Sequence, residues 1–239
     1  GGTLVAGGTS TDNTITITWD QPGPKTITVN YTNADGCFGA SSATVTTSSG
    51  ITPYISGAAD VCLNSSSTYT TDPGQSNYTW SVSGGSITGG GSTTDNTATI
   101  TWNTPGTGSV SINYNDVNGC TVISPTVLPV TVHTIPAAGI SGNASVCQNA
   151  TSPVITFTGS GGTAPYTFTY NINAGSNQTI STTSGNSITL SAPTNITGTF
   201  VYNLISVSDN FGCIGTSSAS ATVTVNELAT GTISGDATV

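Results

Sequence analysis

Apolar and polar residues alternate along most of this chain with a period of two. Ala98, Ile100 and Trp102 fall on one side of an extended segment, with Thr97, Thr99 and Thr101 on the other. Val110, Ile112 and Tyr114 repeat the pattern beyond a Pro105-Gly106 turn. Tyr166, Phe168, Tyr170 and Ile172 make another apolar face, and Ala221, Val223 and Val225 a last one. This period marks half-buried β-strands. Threonine suits the wet face, because its branched Cβ fits a pleated backbone without demanding burial. Gly, Asn, Asp, Ser and Pro separate the apolar runs, as in Asp72-Pro73-Gly74 and Asn118-Gly119. Strands at this spacing, about seven per unit, predict β-sandwiches. The best-marked unit predicts strands near 53–56, 67–71, 77–83, 97–102, 109–115 and 126–133, with Trp80 in the core.

The pattern also repeats on a longer scale. Residues 1–37 align without a gap on residues 84–120 at an offset of 83, so that Trp19 falls on Trp102, Tyr31 on Tyr114 and Cys37 on Cys120. A second signature marks where units begin. Ile55-Ser56-Gly57 precedes Val61-Cys62, Ile140-Ser141-Gly142 precedes Val146-Cys147, and Ile233-Ser234-Gly235 precedes Val239. The expected organisation is the C-terminal half of a β-sandwich repeat at 1–49, a complete repeat at 50–134, a complete repeat of a second subtype at 135–227, and the start of another at 228–239. This phasing predicts a parent chain longer than 239 residues, with a Cys following Val239. The second subtype carries GGTAPYTFTYNINAGSNQTI where the first has its Trp-bearing strand and Gly-rich segment. An odd number of antiparallel strands puts the ends of each sandwich at opposite poles. The fold class expected is therefore all-β, with tandem Ig-like sandwiches arranged head to tail as an extended rod. Short joins at Ser48-Ser49-Gly50 and His133-Thr134-Ile135-Pro136 favour a semi-stiff one.

Composition narrows the functions. The 239 residues hold one Lys (Lys25), no Arg, ten acidic residues and one His (His133), for a net charge of −9. Nucleic-acid binding needs clustered cations to displace counterions, and attraction to anionic lipid needs them too. A histidine-rich metal site is excluded, and any Ser-His-Asp set would have to pass through His133. No acid–base pair or nucleophile set has workable spacing, so no catalytic or cofactor-binding residue is assigned and an enzyme is not expected. About a third of the chain is Ser or Thr, which could signal a mucin-like stalk. The 34% hydrophobic content, three Trp and eight Tyr argue for folded domains instead.

Five cysteines refine the picture. Each complete unit has one Cys near its start and one near its end. The expected bridges are Cys62–Cys120 and Cys147–Cys213, with Cys37 pairing to a Cys upstream of the sequence; the alternative is two pairs of buried free thiols. Bridges imply an oxidising compartment such as the cell exterior, and each would contribute about 4 kcal/mol in the chain-entropy model.

Other candidate sites compete with plain structural readings. Asp116-x-x-Gly119-Cys120 recurs as Asp209-x-x-Gly212-Cys213, which makes Asp116 and Asp209 weak Ca²⁺ candidates. An Asx-type turn is the favoured reading, because Asn33 occupies the same place earlier in the chain. Asp12-Asn13 and Asp95-Asn96 are read as turns leading into a strand. GGSITGGG ends without Lys, so it is no phosphate-binding loop, and it reads as a flexible or bulged loop. Trp19 and Trp102 sit at strand ends, where exposure would let them stack on sugar rings; most strand aromatics belong to the core. His133 has no counterpart in the first repeat and reads as incidental. Gly108 replaces Lys25 in the next repeat, which argues against a repeated Lys–Asn isopeptide staple.

VCLNSSSTYT, NYTWSVSGG and ATITWNTPGTGSVSINYNDVNGC together resemble the PKD-like, Ig-like repeats of giant cell-surface adhesins of Bacteroidota, the SprB-type gliding-motility adhesins among them. APYTFTYNI and DNFGC are similar to a second repeat type of the same proteins. The Asp-Phe-Gly-Asp-Gly run usual in PKD repeats is missing, since Ser-Val-Ser-Gly-Gly follows Trp80. The resemblance implies type IX secretion, display at the bacterial cell surface, and adhesion to solid surfaces or polysaccharide. The function it implies is a non-catalytic stalk segment, stiffened by one disulfide per repeat. The alternatives are a polysaccharide-binding module using exposed Trp or Tyr, and an accessory array of a secreted multimodular hydrolase. Expected partners are the neighbouring repeats of the same chain and, through the parent protein, polysaccharide or solid surfaces. No nucleic acid, membrane insertion or cofactor is expected, Ca²⁺ being the one weak candidate.

Overall fold

Alternating Thr and apolar residues fold as they read. The computed structural model describes residues 2–19, 23–47, 52–117, 122 and 124–235, and every regular element among them is a β-strand. Strands β1 (Gly2–Gly7) and β2 (Ile15–Trp19) form one antiparallel pair, and β3 (Gly23–Thr32) and β4 (Phe38–Thr47) another. The first sandwich follows with β5 (Ile55–Ser56), β6 (Asp60–Cys62), β7 (Ser66–Thr71), β8 (Ser76–Ser83), β9 (Gly85–Gly90), β10 (Thr97–Trp102), β11 (Gly106–Asn115) and β12 (Thr126–His133). Its sheets have the orders β5-β7-β10-β9 and β6-β12-β11-β8. Their inner faces meet in a core of Tyr69, Trp80, Ala98, Ile100, Trp102, Val110, Ile112 and Tyr114, among others. Trp102 meets Tyr69 edge-on at 6.0 Å, and the Trp80 indole donates to Asp95 O at 3.0 Å.

The second sandwich comprises β13 (Ala137–Ser141), β14 (Ala144–Cys147), β15 (Val154–Ser160), β16 (Thr167–Ile172), β17 (Gln178–Ser181), β18 (Ser187–Ser191), β19 (Gly198–Ser208), β20 (Ile214–Thr216) and β21 (Ser220–Asn226). One sheet runs β13-β15-β18 and the other β14-β21-β19-β16-β17, with β20 on β19. Its separate core holds Ile155, Phe157, Phe168, Tyr170, Tyr202, Leu204, Val207 and Val223. Two cores, each between its own two sheets, make the run from β5 to β21 a tandem of Ig-like β-sandwiches.

Two features correct the sequence reading. The Gly-rich segment is not a loop: it is β9, an edge strand paired with β10 through a bulge opposite Thr99 and Ile100. Glycine erases the side-chain alternation that marks a strand, but its backbone pairs all the same. In the second sandwich the corresponding strand has changed sheets. β16 runs into a turn whose Asn173 and Ala174 have φ of 51° and 58°, closed by Gly175 N–H donating to Ile172 O at 2.9 Å. Such a turn folds the chain straight back on itself. β17 therefore pairs with β16 instead of crossing to the opposite sheet.

The poles of each sandwich follow from one register. The first strand splits in two, and its second half, β6, runs parallel to the last strand, β12, with Thr131↔Asp60, Val132↔Val61 and His133↔Cys62. β14 and β21 repeat this with Ser145↔Thr224, Val146↔Val225 and Cys147↔Asn226. Parallel first and last strands place the exit of the chain at the pole opposite its entry.

Candidate functional site

The exit pole of the first sandwich carries Cys62. The chain turns just after it, with Asn64 at φ 64°. Leu63 N–H donates to His133 O at 2.8 Å, Asn64 N–H to Trp102 O at 2.7 Å, and Ser65 N–H back to Cys62 O at 3.0 Å. Asparagine accepts the left-handed backbone at little cost, so the turn fixes the thiol's direction. Beside it, His133 Nε2 lies 2.8 Å from Asp60 Oδ1.

The second sandwich meets this pole with the loop between β19 and β20. Asp209 Oδ1 accepts the N–H groups of Phe211 and Cys213, each at 3.0 Å, and Oδ2 accepts Thr163 N–H at 3.1 Å. Asp209 N–H donates to Cys213 O at 3.2 Å, and Gly212, at φ 79°, donates to Asp209 O at 3.1 Å. A carboxylate that accepts three backbone N–H groups makes a stiff loop, since bonds to a charged acceptor are strong. The loop presents two groups to the first sandwich. Cys213 forms a disulfide with Cys62, at a Cα–Cα distance of 5.5 Å. Phe211 stacks on His133 with ring centroids 3.6 Å apart and planes 18° from parallel. The join between the sandwiches is docked as well. Thr134 Oγ1 donates to Gly161 O. Gly215 lies so close to the join that a Cβ there would fall 1.8 Å from Pro136 O.

The expected bridges Cys62–Cys120 and Cys147–Cys213 are therefore wrong: Cys62 is bonded to Cys213, across the junction. The reason is polar geometry. In the second sandwich the early Cys147 ends β14 at the exit pole, while the late Cys213 follows β19 at the entry pole. In the second sandwich the length of β19, which pairs Gly198 with Val225 at one end and Ser208 with Ile214 at the other, separates the two. Ten residues of strand span roughly 33 Å, far beyond the ~7 Å Cα–Cα limit of a disulfide. Cys147 and Cys37 are free and exposed, and Cys120 lies outside the described residues, as does the Ser48-Ser49-Gly50 join.

The other sequence candidates fall into place around this junction. Asp209 is buried and its oxygens are taken by three N–H donors, an Asx turn; Asp116 is buried. No group of three or more His, Cys, Asp or Glu that could hold a metal occurs among the described residues. Trp102 is 0% exposed, so it is a core residue and not a glycan contact; Trp19 is half-buried. Asp12 and Asp95 do close turns: the hydroxyl and N–H of Thr9 at Asp12, and Ser92 at Asp95, hold these carboxyls below the usual carboxylate range. His133, read as incidental, is at the centre of the junction. Phe211 was also passed over. Its signal was an aromatic at a loop position where the parallel loops carry Asp35 and Asn118.

No protein-family model matches the chain, and no curated protein matches it. Its likenesses are to solved structures. The fibronectin(III)-like modules of Clostridium thermocellum CbhA are 12% identical, with 73% of this chain and 95% of that one covered and a TM-score of 0.38. A C-terminal fragment of intimin, solved with the intimin-binding domain of its translocated receptor, is 15% identical over 72% of this chain and 63% of that one, with a TM-score of 0.43. A 1.5-MDa bacterial ice-binding adhesin is 18% identical over 87% and 75%, with a TM-score of 0.37. The chain thus spans less than two thirds of the intimin fragment.

Proposed function

We propose that this chain is a non-catalytic spacer from an extracellular, surface-displayed bacterial adhesin, in which consecutive repeats at 50–134 and 135–227 are latched to each other by a disulfide. The observation that carries this reading is the Cys62–Cys213 bond between two sandwiches that each have their own core. A bridge inside a sandwich would brace that sandwich alone. A bridge across the junction holds the angle between two, which is what a spacer needs to keep reach. The stacked His133–Phe211 pair, the docked Pro136 and the Asp209-centred loop support the same joint. A disulfide of this kind fits the oxidising cell exterior. Adhesion and gliding motility, with export by the type IX route, come from the sequence resemblance and belong to the parent protein.

Small-angle X-ray scattering on the full chain tests the reading. With the bridge intact, the two sandwiches scatter as one elongated body. Cys62→Ser leaves each sandwich folded but broadens the distribution of distances between them. A compact globule, or a distribution that does not change on removal of the bridge, contradicts the proposal.

A further inference from the structure

The strand that changed sheets leaves an edge behind. In the first sandwich β10 lies between β7 and β9; its counterpart β18 has β15 on one side and, among the described residues, no strand on the other. The register shows which backbone groups this exposes. Gly159 N–H donates to Asn186 O at 2.7 Å, and Ala192 N–H to Pro153 O at 2.8 Å. The pairing between these points has no bulge, so residues 186, 188, 190 and 192 turn N–H and C=O toward β15. Ser187, Thr189 and Ser191 therefore turn theirs outward. The open edge ends cleanly on both sides, since Gly185, at φ 70°, bends the chain and Pro193 has no N–H.

The devices that usually blunt an edge are missing here. The strand Ser187-Ile188-Thr189-Leu190-Ser191 carries no charge, no Pro and no bulge, whereas β9 is bulged. Repulsion between copies is weak at this place, despite the net charge of −9. No Asp, Glu, Lys or Arg falls between Asp116 and Asp209, and Asp209 is buried.

The strand is also complementary to itself. Hydroxyl and aliphatic residues alternate symmetrically about Thr189. Laid antiparallel on its own copy, Ser187 meets Ser191, Ile188 meets Leu190 and Thr189 meets Thr189. Every outward residue then faces an outward residue, so the exposed N–H and C=O groups of both copies pair. A slip of one residue sets outward residues against inward ones and forfeits these bonds. Ile188 and Leu190, partly buried against the core, gain a neighbour on the inner face, and the threonines meet on the outer one.

We propose that β18 is a pairing edge for β18 of a second copy of this chain, the two strands joining antiparallel about a twofold axis at Thr189. Such a contact is isologous and closes as a dimer. It uses the second sandwich alone and stands apart from the latched-spacer reading.

Disulfide trapping tests the register in the full chain carrying Cys37→Ser, Cys120→Ser and Cys147→Ser, in a glutathione redox buffer. A hydrogen-bonded antiparallel pair holds its Cα atoms about 5.5 Å apart, within disulfide reach. Thr189→Cys is expected to give on the order of tenfold more linked dimer than Ser187→Cys, whose two copies are offset by about 13 Å along the strand. Mixing Ser187→Cys chains with Ser191→Cys chains restores the yield with Thr189 in place. Adding Thr189→Lys to both chains of that mixture removes it, because like charges then meet at the axis. All three positions are exposed, which keeps the fold out of the comparison. Equal yields from all arrangements, more dimer from Ser187→Cys alone, linkage that survives Thr189→Lys, or no linkage overturns the inference.

Discussion

Asp209 is a charge used as scaffolding. Its two oxygens collect three backbone N–H groups, that of the buried Cys213 among them, and this aims Cys213 at the neighbouring sandwich. Asp209→Asn keeps an acceptor and should cost little, as Asn33 does the same work at Cys37. Asp209→Ala removes the acceptor from the buried Cys213 N–H and should cost about 1–3 kcal/mol in chemical denaturation of the second sandwich. Trp102→Ala empties a core position and should cost about 3–5 kcal/mol in the first sandwich. The tyrosines add a pH dependence. Burial, then the Asp72 carboxylate that accepts its hydroxyl at 2.8 Å, pushes the Tyr114 phenol far above its usual 10.0. Tyr69, Tyr170 and Tyr202 are raised too, chiefly by burial. The unfolded chain releases these protons near 10 and the folded chain does not. Stability is thus full below that pH and falls as pH rises through it. Thermal melts should decline above pH ~10, and Tyr114→Phe should soften the decline; a flat profile contradicts this account.

At the scale of elements, side-chain alternation decided what was legible. The runs 97–102 and 126–133 are strands with those bounds, because each offers an unbroken apolar face to its core. β9 escaped because glycines carry no face to read, and β6 because three residues are too few to alternate. The junction escaped for a different reason. Cysteine spacing places an early and a late thiol in each unit, but only the parallel register of β6 with β12 tells which pole each thiol occupies. Once the poles are known, a bridge between neighbours follows and a bridge within a unit does not. Glycine matters where an element crosses an aromatic ring. A Cβ at Gly57 would fall 2.1 Å from Tyr69 Cδ1, and the Tyr69 hydroxyl is tied to Ala58 O at 2.8 Å. Gly57→Ala should destabilise the first sandwich by about 1–3 kcal/mol, read by its denaturation midpoint.

For the whole molecule the bridge sets the path of a pulling force. Tension entering near β5 reaches Cys62, crosses to Cys213 and leaves through β21, so most of both sandwiches is spared. The sequence separation bypassed is 151 residues. That is roughly 500 Å of extended chain that cannot be drawn out while the bond is intact. Bridges within each sandwich would hide length as well, but through Cys147, and they would leave the joint free to bend. Single-molecule stretching of the full chain separates the two arrangements. Cys213→Ser, or dithiothreitol, should release roughly 500 Å more chain than the intact protein does, and Cys147→Ser should release none. Extra release on loss of Cys147, or equal release with and without Cys213, would contradict a latch across the junction.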